Sequence, residues 1–131
     1  MYKYPKAKIL VVDDSAILRR GLIKLLTKLE INQITEAEDG QIALDILQQE
    51  SFDMVLLDWE MPNMTGIELL EIIKGDEKLK STPVIMITAK GDELLRAIKL
   101  GVDRFIMKPV SESVTLTKIA EILEKNKGLS P

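Results

Sequence analysis

Polar side chains that could carry chemistry stand at the ends of short apolar runs in this sequence. Asp13 and Asp14 come directly after the first run, Asp58 after the third, and Thr88 and Lys108 stand at the ends of the fourth and fifth. Three carboxylates that converged to about 4 Å would repel each other by a few kcal/mol per pair at an effective dielectric of about 20. If they meet, a divalent cation or a proton must compensate their charge.

The donor types of this set indicate a metal and a reaction. Carboxylate oxygens without His or Cys select Mg²⁺, or Mn²⁺ in its place, and Mg²⁺ commonly bridges one or two carboxylates to phosphate oxygens. Together with Lys108, such a cation could hold a phosphoryl group and neutralise the charge of its transition state. Asp58 would then be positioned as a nucleophile that forms an acyl phosphate.

The composition removes most other chemistries. The 131 residues include no Cys and no His, which excludes thiolate and imidazole catalysis and the metal sites built from them. With 21 acidic and 18 basic residues the net charge is -3, so we expect no direct nucleic-acid binding. No apolar run approaches the roughly 20 residues that span a bilayer, and the chain opens without a signal-like segment. We therefore expect a cytoplasmic protein without membrane insertion.

The elements that must position these residues alternate regularly. Each apolar strand is followed by a segment with helical spacing of its apolar residues, as in Leu18, Leu22, Leu25, Leu26 and Leu29. Strict alternation requires parallel crossovers, which predicts one α/β domain with a doubly wound parallel sheet and helices on both faces. Ligands of such sheets bind outside the carboxyl ends of the strands. The periodicity leaves the order of the strands open.

The pattern also predicts where each element begins and ends. Strands are expected at residues 8–12, 33–37, 54–57, 84–88 and 104–107, and helices at about 41–49, 66–74 and 93–100, besides the first helix and a last one after Pro109. Gly101 would end the fourth helix in a left-handed conformation, and Ser111 would cap the start of the fifth. The domain is expected to cover residues 1–126, with a polar tail at 127–131.

Four segments at these strand ends resemble the receiver domain of bacterial response regulators, most of all its single-domain chemotaxis members. They are ILVVDDS at 9–15, VLLDWEMPNMTG at 55–66, VIMITA at 84–89 and FIMKP at 105–109. The likeness runs in order from about residue 8 to residue 123. Because four separate motifs occur at the corresponding strand ends, the resemblance is highly specific.

The resemblance implies a flavodoxin-like sheet of order 2-1-3-4-5 with five helices. It implies that Asp58 accepts a phosphoryl group from a histidine kinase or a small phosphodonor. It further implies that Asp14 binds Mg²⁺ directly, that Asp13 does so largely through water, and that the backbone carbonyl of Glu60 is another ligand. Lys108 would contact the phosphoryl oxygen. The domain would catalyse only its own aspartyl phosphorylation and dephosphorylation.

The same resemblance implies a switch. Thr88 would bond to the phosphoryl group and move inward, and Phe105, at the switch-aromatic position of the family, would fill the vacated space. Phe105 lacks the hydroxyl of the commoner Tyr, so it can pack inward but cannot make the Tyr hydrogen bond. Helix 4, strand 5 and helix 5 would form the output surface. The implied partners are a histidine kinase or phosphotransfer protein and a downstream protein target, with the chain a monomer or a phosphorylation-dependent dimer.

Trp59, Glu60, Ala89, Lys90 and Pro109 would flank the phosphorylation pocket. Compared with the chemotaxis members, Glu60 replaces an Asn-like residue and Lys90 a Glu-like one. We hypothesise a Glu60–Lys90 ion pair across the pocket mouth that impedes the hydrolytic water and changes the lifetime of the acyl phosphate. An exposed pair of this kind would add less than about 1 kcal/mol to stability, so its effect would be kinetic.

Some of these residues also have purely structural interpretations. Asp13, Asp14 and Ser15 could cap the first helix and offset its dipole, and Thr88 could be an ordinary polar strand end. Packing and loop shaping are expected of Trp59, Met61 and Met64. The basic residues of helix 1 are expected to form a solvated face, with docking of an acidic partner as the alternative: Arg19, Arg20, Lys24 and Lys28.

Two other functions compete with the receiver interpretation. A haloacid-dehalogenase-like phosphatase also uses an Asp after its first strand and a downstream Lys, but its two acids stand as Asp-x-Asp, and it normally carries a cap for which this length leaves little room. Binding of FMN would need a hydroxyl- and glycine-rich loop after strand one. Asp13 and Asp14 stand there instead.

Overall fold

A computed structural model describes residues 3–89 and 94–125 of the chain. Within these residues, five strands and five helices alternate, as the sequence pattern predicts. The strands are β1 (Lys8–Val12), β2 (Gln33–Ala37), β3 (Met54–Asp58), β4 (Val84–Thr88) and β5 (Arg104–Met107). The helices are α1 (Ala16–Lys28), α2 (Gly40–Gln49), α3 (Gly66–Gly75), α4 (Leu94–Leu100) and α5 (Glu112–Glu124).

The strands form one parallel sheet in the order β2-β1-β3-β4-β5. The neighbouring strands end at nearly the same level, because Val12 pairs with both Ala37 and Leu57, and Thr88 pairs with Met107. The reversal of strand order therefore falls between β1 and β3. This confirms the doubly wound fold and the order that the resemblance implied.

Alternation along the strands divides the core into two layers, one on each face of the sheet. On one face, Val12, Leu57 and Met86 pack with residues of α2, α3 and α4. On the other face, Val11 and Leu56 pack with residues of α1 and α5. Every residue of β3 and β4 is buried, as expected for central strands that helices cover on both sides.

Local signals set the helix boundaries. The Ser111 hydroxyl accepts a hydrogen bond from the Val114 amide at the start of α5, and Gly101 follows α4 with φ of 93°, as predicted at both positions. Asp39 caps α2, which starts at Gly40, one residue before the predicted position. The predicted start of α4 at residue 93 and the predicted tail at 127–131 lie outside the described residues.

Among the helices described, none is long and apolar enough to cross a membrane.

Candidate functional site

Three carboxylates meet at the carboxyl edge of the sheet. One oxygen from each of Asp13, Asp14 and Asp58 lies within 4.8 Å of the others. The cause is the register of the two neighbouring strands, since Val12 pairs with Leu57 and the residue after each is an aspartate. The three carboxylates therefore converge, which the sequence pattern alone did not establish.

Backbone hydrogen bonds extend the sheet past the strand ends and fix these residues. The Asp13 amide donates to the Ala37 carbonyl at 3.1 Å, and the Lys108 amide donates to the Thr88 carbonyl at 2.8 Å. The Trp59 amide, directly after Asp58, likewise donates to the Ile87 carbonyl at 3.0 Å. The acidic side chains thus start from backbone that the sheet holds, rather than from free loops.

Asp13 is the most strongly perturbed acid of the cluster. Its side chain is buried, and burial raises its pKa to about 6, with the charges of Asp58 and Asp14 adding to the rise. The hydrogen bond that Asp13 Oδ1 accepts from the Ser15 amide at 2.9 Å opposes this shift, as does the charge of Lys108. Asp14, in contrast, is exposed to solvent.

Asp58 forms an ion pair with Lys108. The Lys108 Nζ donates to Asp58 Oδ1 at 2.8 Å, and Asp58 is only 3% exposed. Burial raises the pKa of Asp58 in spite of the hydrogen bond and charge of Lys108, which lower it. Burial also disfavours the charged Lys108, but the hydrogen bond and charge of Asp58 outweigh it and raise the Lys108 pKa. One ammonium therefore offsets only part of the charge of three carboxylates.

The donor set and the surroundings fit a magnesium ion. An open cleft of about 430 Å³ is lined by Asp14, Asp58, Glu60 and Lys108. Three carboxylates provide the hard oxygen ligands that Mg²⁺ prefers, and the opening leaves room for the waters and phosphate oxygens that complete its octahedral shell. A divalent cation would also supply the charge that Lys108 alone does not.

Comparison with known proteins identifies the protein family to which this chain and its acidic cluster belong. The family of response regulator receiver domains matches residues 9–120. The chain belongs to this family. Receiver domains of this kind are signalling domains that bind Mg²⁺ at an acidic cluster and interact with histidine kinases and downstream targets. A haloacid-dehalogenase-like phosphatase is not supported.

Individual relatives agree with the family match. The chain is 42% identical over 123 residues to the "Chemotaxis protein CheY" of Pseudomonas aeruginosa, covering 92% of this chain and 99% of that protein. It is 43% identical over 120 residues to the "Chemotaxis protein CheY-3" of Vibrio cholerae, covering 90% and 92%. The signal receiver domain of a histidine kinase from Syntrophus aciditrophicus has a TM-score of 0.86 at 28% identity, covering 92% of each chain.

In this receiver domain, a tight loop follows Asp58. The Gly66 amide donates to the Trp59 carbonyl at 2.9 Å and closes the loop. A Cβ at Gly66 would lie 2.4 Å from the Asp58 carbonyl oxygen, so no larger residue fits without displacing the end of β3. Trp59 and Met61 are buried in the core, which confirms the expectation that they pack.

The other expected site residues fall into two groups. Thr88 is buried at the end of β4, and Phe105 is half-buried against the core on the α4 side of the sheet. Ala89, Pro109 and Glu60 are exposed, and Glu60 lines the cleft. Lys90 lies outside the described residues. The hypothesised Glu60–Lys90 ion pair therefore also falls outside the part of the chain that the structure describes.

Arg19 is a supporting residue that the helical pattern did not distinguish. It was expected on a solvated face, but its side chain is only 14% exposed. Its Nη1 donates to the Asp13 carbonyl at 2.6 Å, and its Nε pairs with Glu36 at 2.9 Å. The expectation of a solvated face is therefore wrong for Arg19, because the first turn of α1 brings it back over the end of β1.

Proposed function

We propose that this receiver domain accepts a phosphoryl group on Asp58 with the help of Mg²⁺, and that phosphorylation changes its affinity for a protein partner. The observation that carries the proposal is the setting of Asp58. This carboxylate stands within 4.8 Å of Asp13 and Asp14, with Lys108 at 2.8 Å and an open cleft in front of it. A nucleophile, a cation site and a fixed ammonium thus lie where a phosphodonor can approach.

Asp14 and Asp58 would hold the metal through their carboxylates, Asp13 would do so largely through water, and the Glu60 backbone carbonyl would add a ligand. When bound, Mg²⁺ supplies positive charge to the phosphoryl oxygens and helps to align them. Mn²⁺ prefers the same oxygen donors and would substitute for it. Without the cation, the excess of carboxylates would repel an incoming phosphoryl group.

The transfer itself needs one nucleophile. An oxygen of ionised Asp58 would form a bond to phosphorus while the bond from phosphorus to the donor breaks, and the electron pair of that bond would leave with the donor. Lys108, already at hydrogen-bond distance from Asp58, would contact a phosphoryl oxygen and neutralise developing charge. Attack of water on the same phosphorus would later regenerate Asp58, so the domain would catalyse only its own modification.

A switch would connect this event to a surface. Thr88 pairs with Met107 across β4 and β5, and Phe105 stands two residues before Met107, so Thr88 and Phe105 share one face of the sheet. A Thr88 hydroxyl drawn towards the phosphoryl group would leave space that Phe105 can enter. The surface of α4, β5 and α5, which exposes Leu95 and Ile98 at 65% and 51%, would then change its affinity for a downstream target.

The phosphodonor protein would approach from a different side. Ile17 is 76% exposed and Leu18 is 45% exposed at the start of α1, and they line an apolar groove that reaches Asp13 and Lys108. Apolar contact there would place the phosphohistidine of a kinase or phosphotransfer protein over the cleft. Ile17→Ser should therefore slow transfer from such a protein and leave labelling by acetyl phosphate unchanged.

The decisive experiment is the intact mass of the protein after incubation with acetyl phosphate and Mg²⁺. We expect a single phosphoryl adduct on the wild type and on Asp45→Asn, an exposed aspartate of α2. Asp58→Asn, or chelation of the metal, should abolish it. No adduct under conditions that label a control receiver domain would refute the proposal, and an adduct that persists on Asp58→Asn would place the acceptor elsewhere.

A further inference from the structure

Lys118 makes two contacts with Phe105. Its Nζ lies 4.7 Å from the centroid of the Phe105 ring, and it donates a hydrogen bond to the Phe105 backbone carbonyl. An ammonium within about 6 Å of an aromatic centroid is attracted by the negative face of the ring. One lysine side chain therefore binds both the backbone and the ring of the same residue.

These two residues start from opposite faces of the sheet. Ile119, which follows Lys118 in α5, is buried in the layer between α5 and α1. Phe105 packs in the other layer, on the side of α4. Because β5 is the edge strand, the side chain of Lys118 can reach around it to the ring. The contact thus ties α5 to the aromatic side chain across the edge of the sheet.

We propose that Lys118 is a positioning residue that holds Phe105 in its present orientation. A ring that turned inward towards Thr88 would move away from the ammonium and lose the attraction. Loss of this contact would therefore be part of what the switch must overcome, and the contact would favour the unphosphorylated state. This inference rests on the proposed switch role of Phe105.

Fluorine NMR can test the proposal because the chain has only two phenylalanines. Labelling with 4-fluorophenylalanine would give one resonance from Phe105 and one from Phe52, assigned with Phe52→Leu. Phe52 is a matched control, since Lys8 Nζ lies 5.0 Å from its ring centroid. Lys118→Met and Lys8→Met would each remove one lysine–phenylalanine contact, and Lys118→Arg would restore a cation over Phe105.

In unphosphorylated Lys118→Met, we expect the Phe105 resonance to move towards its position in wild-type protein treated with acetyl phosphate and Mg²⁺. The inward fraction should rise about two- to fivefold, the range that a partly exposed cation–π contact supports. The further shift on phosphorylation should be smaller than in wild type. Lys118→Arg should keep the wild-type resonance, and Lys8→Met should move only the Phe52 signal.

An unchanged Phe105 resonance in Lys118→Met would overturn the inference, and so would equal shifts in Lys118→Met and Lys118→Arg. The inference would also fail if the Phe105 resonance did not change in wild-type protein whose mass shows the adduct. In that case the phosphoacceptor function would stand. If no adduct formed at all, the proposed function would fail. The unphosphorylated spectra would still test the restraint, because a Phe105 resonance that moves in Lys118→Met and not in Lys118→Arg depends on the cation over the ring.

Discussion

Lys108 and Asp58 are 50 residues apart in the sequence, yet their Nζ and Oδ1 atoms are 2.8 Å apart at the carboxyl edge of the sheet. Lys108 directly follows β5, and Asp58 is the last residue of β3. These two strands flank β4 in the sheet. The lysine side chain must therefore extend past the end of β4 to reach the carboxylate. This ion pair is the charge compensation that the protein itself provides to the acidic cluster.

Removing the lysine should leave a buried carboxylate without its partner. Without Mg²⁺, we expect Lys108→Met to lower the free energy of unfolding by about 1–3 kcal/mol, less than a fully enclosed pair would lose because the cleft is open. Asp58→Asn in the same chain should recover most of this loss, since no buried charge then remains unpaired. Urea unfolding of the two single variants and the double variant would measure the coupling.

The exposed Lys99 of α4 provides the control for this cycle, because Lys99→Met changes the same charge without touching the cluster. Its free energy of unfolding should stay within about 0.5 kcal/mol of wild type. If Lys108→Met lowered the free energy of unfolding equally in wild type and in Asp58→Asn, the assigned role of the ion pair would be contradicted.

Asp13 should make the stability of the metal-free protein depend on pH. Burial raises its folded-state pKa to about 6 from 3.8, so the folded protein holds the proton more tightly than the unfolded chain does. The contribution of Asp13 is therefore most favourable at low pH and declines as pH rises from about 4 to above 6. Compared with Asp13→Asn, wild type should lose about 1–2 kcal/mol over this range.

Urea unfolding of wild type and Asp13→Asn at several pH values, with EDTA, would isolate this contribution. The difference between the two proteins should be nearly constant above about pH 7, where Asp13 is ionised in both states. A difference that grew in favour of wild type as the pH rose would show that the pKa is lowered by folding, contrary to this expectation.

Mg²⁺ should stabilise the folded protein through the same carboxylates. Binding to the folded state alone adds about 2.7 kcal/mol when the free ion is at 100 times its Kd. We expect the melting temperature of wild type to rise with Mg²⁺ concentration, and that of Asp13→Asn to rise much less. The exposed-site variant Asp45→Asn should respond as wild type does, and an equal response in Asp13→Asn would exclude Asp13 from the metal site.

Two glycines of α3 should respond in opposite ways to the same substitution. Gly66→Ala would force a Cβ to 2.4 Å from the Asp58 carbonyl oxygen, whereas a Cβ at Gly75 would have nothing within 4 Å. We expect Gly66→Ala to cost about 1–3 kcal/mol and to weaken Mg²⁺ binding, because the end of β3 must shift. Gly75→Ala should be neutral or stabilising by up to about 1 kcal/mol. Thermal melts with and without Mg²⁺ would compare the pair, and similar losses in both variants would rule out the steric argument.

Much of the fold could be predicted because its signals are local. Apolar runs at strand length, helical spacing of leucines and caps such as Ser111 each depend on residues close in sequence, and they place the strands to within one residue. The acidic residues could also be found, since a parallel sheet brings the carboxyl ends of its strands to one edge. The motifs around Asp58 and Lys108 then indicated the family that the comparisons confirmed.

The amino-acid pattern therefore predicts the set of elements and the edge of the sheet at which their polar residues gather. The tertiary structure alone decided how those side chains meet: that Arg19 turns back to the Asp13 carbonyl, that burial raises the Asp13 pKa, and that Lys118 reaches around β5 to Phe105. The physical reason is that periodicity reports which face of an element is buried. A hydrogen bond, a desolvated charge or a cation over a ring depends instead on distances between atoms of different elements, which packing of the whole domain sets.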